Sequence, residues 1–445
     1  MLKIYFYLIV FSILFLRSNS LSFQDLIIRK INEINKFNNT MISPLSIYQY
    51  LSLLSNGAVG DTQKELLQVL LSENELEDKI SNLIAKINSN NIEIISNIKS
   101  EYLEDDSQKS ISENSKLQFN DVNGIFVRKD LKLAKQFTEI SDKYNTSYFQ
   151  ELNVKIVNEF CRNNTNGKID GVVDFIPPYA KLILANALYF KGEWVEKFSK
   201  GRIKKRNFLN SDNTTTLVDT MDALYTSKYY YEDENVQIIS LPYKSNKLDF
   251  HMIIILPNLN KYSSPLDYLT KENISLSDIS SKLKIKRNIH LYLPKFKYEF
   301  RILLSSILKD LGLKGLFEES HLNNIFEKGN VGIEEILHAT YIDVNENGTE
   351  AAAVTVNVFN GTIMRPKEDL VMNVNHSFIY MIQSNKITDS DGNYLIPFVG
   401  IINQLEEEIE DEKQNDNNLS NDASRDSNIE KSNDSNIGSS RESNN

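Results

Sequence analysis

The chain has 445 residues, 41% of them hydrophobic and 10% aromatic, with a formal net charge of −11 and one cysteine, Cys161. That length and apolar content suffice to bury a substantial core without metals or disulfides, and a lone cysteine excludes an intrachain disulfide framework. The acidic balance argues against general nucleic-acid binding, which rewards clustered Lys and Arg.

The first residues follow the pattern of a secretory signal. Lys3 supplies a positive start, Ile4 to Leu16 an apolar run, and Ser18-Asn19-Ser20 a small-residue cleavage zone. The run is shorter than the roughly 20 apolar residues that span a bilayer. Residues 1–20 are therefore expected to be removed, giving a secreted, extracellular protein with no membrane span. Leu26, Ile27, Ile31 and Ile34 recur at helical spacing and predict an opening helix over Phe23 to Asn35. Ser43-Pro44-Leu45-Ser46 introduces a second apolar segment, Ile47 to Leu54, with Ser43 or Ser46 as its cap. Thr62 to Leu71 predicts another amphipathic helix, entered through Gly60-Asp61.

Between Ser96 and Ser115 the chain turns polar and charged, the pattern of a surface insertion. Glu159 to Arg162 match no catalytic cysteine signature, so Cys161 reads as a buried thiol on a helix face. Apolar and polar residues alternate over Val122 to Val127, and Ile183 to Phe190 is a near-continuous apolar run suited to a strand buried on both faces. Further strands are expected at Val236 to Leu241, Phe250 to Leu256, His290 to Leu293 and Met372 to Ile382. Helices gather early and strands late, which predicts an α+β fold rather than alternating units. From Leu405 to Asn445 the chain is acidic, rich in Asn and Ser and poor in apolar residues, and is expected to stay unfolded.

Catalytic and cofactor signatures are missing. His251, His290, His321, His338 and His376 are scattered, with no paired metal-ligand spacing, and no nucleophile elbow, phosphate loop or dinucleotide fingerprint occurs. The expectation is a non-enzyme without cofactor or metal. Lys200, Arg202, Lys204, Lys205 and Arg206 form a basic cluster, and Lys282, Lys284, Lys286 and Arg287 a second. The first fits a sulfated polysaccharide, or simply a solvated strand or loop edge.

One stretch stands apart. From Ala351 to Met364 there is neither charge nor proline, with small residues first and β-formers next, so the segment suits both a loop and a strand. Gly348-Thr349-Glu350-Ala351-Ala352-Ala353, preceded by Glu346, resembles the proximal hinge of the serpin reactive centre loop. Other segments resemble serpin motifs in the family's order. Ile42 to Ile47, with Ser43 and Ser46, is similar to the shutter segment. Asn164 to Ile169 and Leu184 to Gly192, which includes Asn186, are similar to two further motifs, and Trp194 falls where the family has its breach tryptophan. His338 falls at the shutter histidine, and Pro397 to Asn403 is similar to the closing strand.

The resemblance implies a serpin domain over 21–404, with helices around a large central mixed sheet, smaller sheets and an exposed loop at about 347–367. It also implies a monomeric suicide inhibitor of a serine protease, whose cleaved loop enters the sheet with Thr349, Ala351, Ala353, Thr355, Asn357 and Phe359 facing inward. Counting from Glu346 as the family counts, the bait bond is Thr362-Ile363, with Met364-Arg365 as runner-up; threonine or methionine there points to elastase-like or chymotrypsin-like enzymes. The alternative is a non-inhibitory serpin acting as carrier, chaperone or storage protein, and Val354 departs from the family's usual alanine. Asn347-Gly348-Thr349 and Asn360-Gly361-Thr362 also read as glycosylation sequons.

Overall fold

The structure is a computed structural model, and it describes residues 22–71, 80–103, 117–245, 248–318, 321–328, 331–349, 370–387 and 394–407. The expected signal, the loop from Glu350 to Asp369, the polar stretch after Leu103 and the tail after Glu407 lie outside the described residues.

Helix α1 (Phe23–Ile34) starts at Ser22, whose hydroxyl accepts from the Asp25 N–H. Helix α2 (Pro44–Gly57) is capped by Ser43 rather than Ser46, with Pro44 at its first turn, where a missing N–H costs nothing. Helix α3 (Gly60–Leu71) ends where predicted and begins two residues before Thr62, taking in the expected entry residues Gly60 and Asp61. Helix α4 (Ile80–Leu103) runs through Ser96 to Leu103, where an insertion was expected; Ile92, Ile94, Ile95 and Ile98 continue a helical repeat that the intervening Asn and Ser obscure. Helices α5 (Lys135–Lys143) and α6 (Val154–Asn164) complete the first half.

The strands, in chain order, are β1 (Thr40–Ile42), β2 (Gln118–Val127), β3 (Thr146–Phe149), β4 (Leu182–Glu193), β5 (Lys204–Leu209), β6 (Thr215–Glu232), β7 (Val236–Pro242) and β8 (Phe250–Pro257). There follow β9 (Lys284–Pro294), β10 (Phe296–Leu303), β11 (Glu335–Asn345), β12 (Gly348–Thr349), β13 (Leu370–Asn373), β14 (Phe378–Ser384) and β15 (Phe398–Ile402). The predicted strand Met372 to Ile382 is two strands. β13 pairs parallel with β9, and β14 lies between β8 and β15, because Val374 to Ser377 carries the chain across the sheet.

Among the described residues the strands form a nine-stranded sheet and a six-stranded mixed sheet ordered β10-β11-β12-β4-β2-β3. β4 shows why its sequence is apolar from Leu182 to Phe190 but for Asn186. Leu182, Leu184, Leu188 and Phe190 pack into the larger core, while Ile183, Ala185, Ala187 and Tyr189 pack with Val157, Phe160 and Cys161 of α6 on the other face. Alternate side chains serve two cores, so no position from Leu182 to Phe190 is left to solvent.

Candidate functional site: a seam between two parallel strands

β4 and β11 lie side by side in parallel register, from Ile183 opposite Glu335 to Tyr189 opposite Tyr341. Beyond Tyr341 they part and β12 enters between them. Gly348 and Thr349 pair antiparallel with Glu193 and Gly192 on one side and with Asn345 and Val344 on the other. The chain reverses through Glu346 and Asn347.

Gly348 is required by this arrangement, since its φ is +151° and a Cβ there would stand 2.0 Å from the Gly192 carbonyl oxygen. Thr349 is fully buried, its hydroxyl 2.6 Å from the Tyr243 hydroxyl. Tyr243 in turn stacks on Trp194, with ring centroids 4.4 Å apart. The Trp194 indole N–H donates to the Asn345 carbonyl at 3.0 Å, and the backbone N–H groups of Trp194 and Phe198 donate to the carbonyls of Asn347 and Glu346. The Glu346 carboxylate lies 2.8 Å from Lys295 and 3.6 Å from Lys200. Burial pushes that carboxyl up, but the Lys295 hydrogen bond and the two ammonium charges outweigh burial and hold it below its ordinary range.

A polar ring surrounds the closed part of the seam. His338 on β11 sits opposite Asn186 on β4. The Ser43 N–H donates to His338 Nε2 at 3.1 Å, and the Ser46 hydroxyl lies 2.7 Å from Ser43 Oγ. The Asn186 amide donates to Asp121 Oδ1 at 2.9 Å and to Asn123 Oδ1 at 3.0 Å, tying β4 to β2. Burial pushes the Asp121 carboxyl up to about 6 against the hydrogen bonds of Ser46 and Asn186. It pushes His338 down to about 3, so that imidazole is neutral at physiological pH.

The predicted residues thus fall into two groups along one seam: Ser43, Ser46, Asn186 and His338 where it is closed, and Trp194, Glu346, Gly348 and Thr349 where it opens. Glu350, Ala351, Ala352, Ala353, Thr362, Ile363, Met364 and Arg365 lie outside the described residues. Sequence reasoning missed Asp121, Tyr243 and Lys295. Asp121 and Asn123 did carry a signal, as polar residues in phase with the core-facing Phe119 and Ile125. The first sequon fits poorly here, because Asn347 is buried with its amide directed at Glu346. The basic cluster is partly engaged: Lys200 pairs with Glu346, Lys205 with Glu407 at 3.5 Å, and Arg206 covers the Tyr292 ring at 3.9 Å.

Two parallel strands of a mixed sheet that part to admit the start of a third between them define the geometry of the site. The family model described as serpin (serine protease inhibitor) matches residues 18–392, and the chain belongs to the serpin family. Leukocyte elastase inhibitor of Xenopus tropicalis is 30% identical over 375 residues, covering 80% of this chain and 92% of the relative. Among solved structures, the thermophilic serpin tengpin in its native state matches with a TM-score of 0.70 at 25% identity, covering 87% of this chain and 93% of that one. Human thyroxine-binding globulin with bound thyroxine matches at 0.71 and 20% identity, covering 87% and 98%, a likeness of fold alone.

Proposed function

We propose that this protein is a secreted inhibitor of a serine-type endopeptidase that traps its target by inserting a cleaved loop into the β4–β11 seam. The observation that carries this reading is β12, a strand begun in the register that insertion would extend. The protease serine attacks the bait carbonyl, assigned to Thr362; the peptide bond to Ile363 breaks and its amine leaves with a proton, giving an acyl-enzyme. Insertion from the hinge, Glu346 to Ala353, then carries the enzyme away before water completes hydrolysis. Met364-Arg365 is the second choice of bond; cleavage after Arg365 itself, which would suit a trypsin-like enzyme, is disfavoured because Pro366 lacks an N–H and restrains the backbone there.

The roles of Ser43, Ser46, Asn186 and His338 as shutter and Trp194 as breach belong to the same reading, as does a domain spanning 21–404. So do an elastase-like or chymotrypsin-like target, a monomeric state, and a sulfated polysaccharide at Lys200 to Arg206, of which Lys200, Arg202, Lys204 and Lys205 are exposed. The test is incubation with purified serine proteases, looking for a covalent complex on a denaturing gel and a raised unfolding temperature after loop cleavage. No complex and an unchanged transition would favour the carrier, chaperone or storage alternative.

A further inference from the structure

Seven asparagines among the described residues begin the sequence Asn-x-Ser or Asn-x-Thr: Asn38, Asn145, Asn163, Asn213, Asn273, Asn347 and Asn375. N-linked modification of such a site requires a transferase to reach the asparagine amide and the hydroxyl two residues on. In six of them the fold takes up one group or the other. Asn347 is buried, and the Asn145 amide donates to the Asp121 carbonyl at 3.1 Å. Behind Asn38, Asn163 and Asn375, the hydroxyl residues Thr40, Thr165 and Ser377 are buried. Behind Asn273, the Ser275 hydroxyl donates to the buried Asp25 carboxylate at 2.6 Å. Among the described residues only Asn213-Thr214-Thr215 has all three members exposed. A site open in the folded chain can be modified at every stage of folding and accommodates a sugar afterwards. The others must be used before their groups are taken up.

The position of Asn213 gives a sugar something to cover. Asn213 stands at the tip of the β5–β6 hairpin with a φ of +67°, a left-handed conformation that asparagine tolerates, and its N–H donates to the Asn210 carbonyl at 3.0 Å. Leu209 pairs with Thr215 and Asn207 with Leu217, so Leu209, Thr215 and Leu217 share one face of the hairpin. Both leucines are 41% exposed. Phe37, 55% exposed, is tied to the same turn by the Ser211 hydroxyl, which donates to its carbonyl at 3.1 Å. Among the described residues β5 is also a sheet edge, laddered to β6 alone with a single bridge from Leu209 to His376. An edge strand with exposed leucines invites pairing with another molecule unless something covers it. We propose, resting on the secreted reading above, that Asn213 is modified with an N-linked oligosaccharide and that this sugar covers the Leu209 and Leu217 edge. The asparagine amide nitrogen bonds the anomeric carbon of N-acetylglucosamine. The bond from that carbon to the pyrophosphate of a lipid-linked donor breaks, and the amide gives up one proton to the transferase.

For the test, the full-length chain is produced in eukaryotic cells from its own leader and collected from the medium. Enzymatic release of N-glycans in oxygen-18 water converts a modified Asn213 to isotope-labelled aspartate, which mass spectrometry reads in the peptide that carries Thr214 and Thr215. The label is expected at Asn213. Thr215→Ala is expected to lose the mass of one glycan on a gel and Thr215→Ser to retain it, both with the Asn213 turn left in place. Sugar-free protein, whether enzyme-treated or Thr215→Ala, is expected to self-associate at concentrations where the parent stays dispersed, read by light scattering. A secreted chain with no label at Asn213 would overturn the site and leave secretion standing. A labelled chain whose scattering is unchanged after the sugar is removed would overturn the covering role. A chain that stays inside the cell without the label would take down the secreted reading and this assignment together.

Discussion

Glu346 and Lys295 meet at 2.8 Å where β11 turns back into β12, so an ion pair fixes the place from which the loop departs. Lys200 adds a second cation at 3.6 Å, and the Glu346 side chain is only 10% exposed. The carboxylate is therefore well paired but poorly hydrated, and removing its charge leaves Lys295, itself 21% exposed, facing a neutral amide. Glu346→Gln is expected to destabilise the intact protein by about 1–3 kcal/mol, between the values of exposed and fully buried pairs. Urea unfolding measures this, and a change within a few tenths of a kcal/mol would mean that the backbone hydrogen bonds from Trp194 and Phe198 hold the turn alone.

Thr349 is the last inserted residue described, and its hydroxyl already meets Tyr243 in the core. Replacing it with arginine puts an unpaired charge among Tyr243, Trp194 and Phe190, an environment that excludes charge unless it is paired. Thr349→Arg is expected to turn the inhibitor into a substrate: the loop is cut and released protease stays active. A detergent-stable complex of this variant with its protease would contradict strand insertion as the trapping step.

An inserted strand that continued the register begun by β12 would set Asn357, eight steps beyond Thr349, between Leu184 and Ile336. Both neighbours are apolar and buried, and nothing in that register pairs with the amide. Asn357→Val is therefore expected to stabilise the cleaved form by about 1–3 kcal/mol and leave the intact form unchanged. Calorimetry on both forms reads the difference, and equal shifts in the two would refute the extrapolated register.

Asp121 and His338 should oppose each other in acid. The unfolded histidine titrates near 6.5 and the folded one at about 3, so the unfolded state binds more protons and stability is lost as pH falls through that interval. The aspartate runs the other way: folded at about 6 and unfolded at 3.8, it binds more protons when folded, and stability is regained as pH falls between those values. From about pH 6 to 4 the two contributions cancel. Asp121→Asn is expected to expose the histidine and steepen acid destabilisation by up to about 1.4 kcal/mol per pH unit, and His338→Gln to make the same interval stabilising. Denaturant unfolding at pH 7, 6, 5 and 4 decides, and parallel curves for parent and variants would dismiss the opposition.

Much of this site was readable from residue types because its constraints are local. Ser43 before Pro44 was one of the two caps the local sequence offered, and Ile183 to Phe190 suited a strand covered on both sides. Resemblance then supplied the order of motifs, including His338 within a strand that periodicity alone had not marked. Geometry set by distant pairing stayed hidden. Lys295 is 51 residues from Glu346, and Tyr243 is 106 from Thr349, so no short-range pattern links them. The helix through Ser96 was missed because Asn and Ser weaken helical propensity while the isoleucines keep its face. The break between β13 and β14 was missed because Val374, between Asn373 and Asn375, continues the apolar–polar alternation from Met372 although the chain changes neighbours.

The chain's one tryptophan is Trp194, wedged between the β11 turn and Tyr243. Emission excited at the red edge, where tyrosine does not absorb, therefore comes from a single chromophore at the mouth of the seam, and wavelength or lifetime changes report on that spot without any attached dye. Any rearrangement at that spot can be followed in the unmodified molecule, at the speed of a stopped-flow mixer.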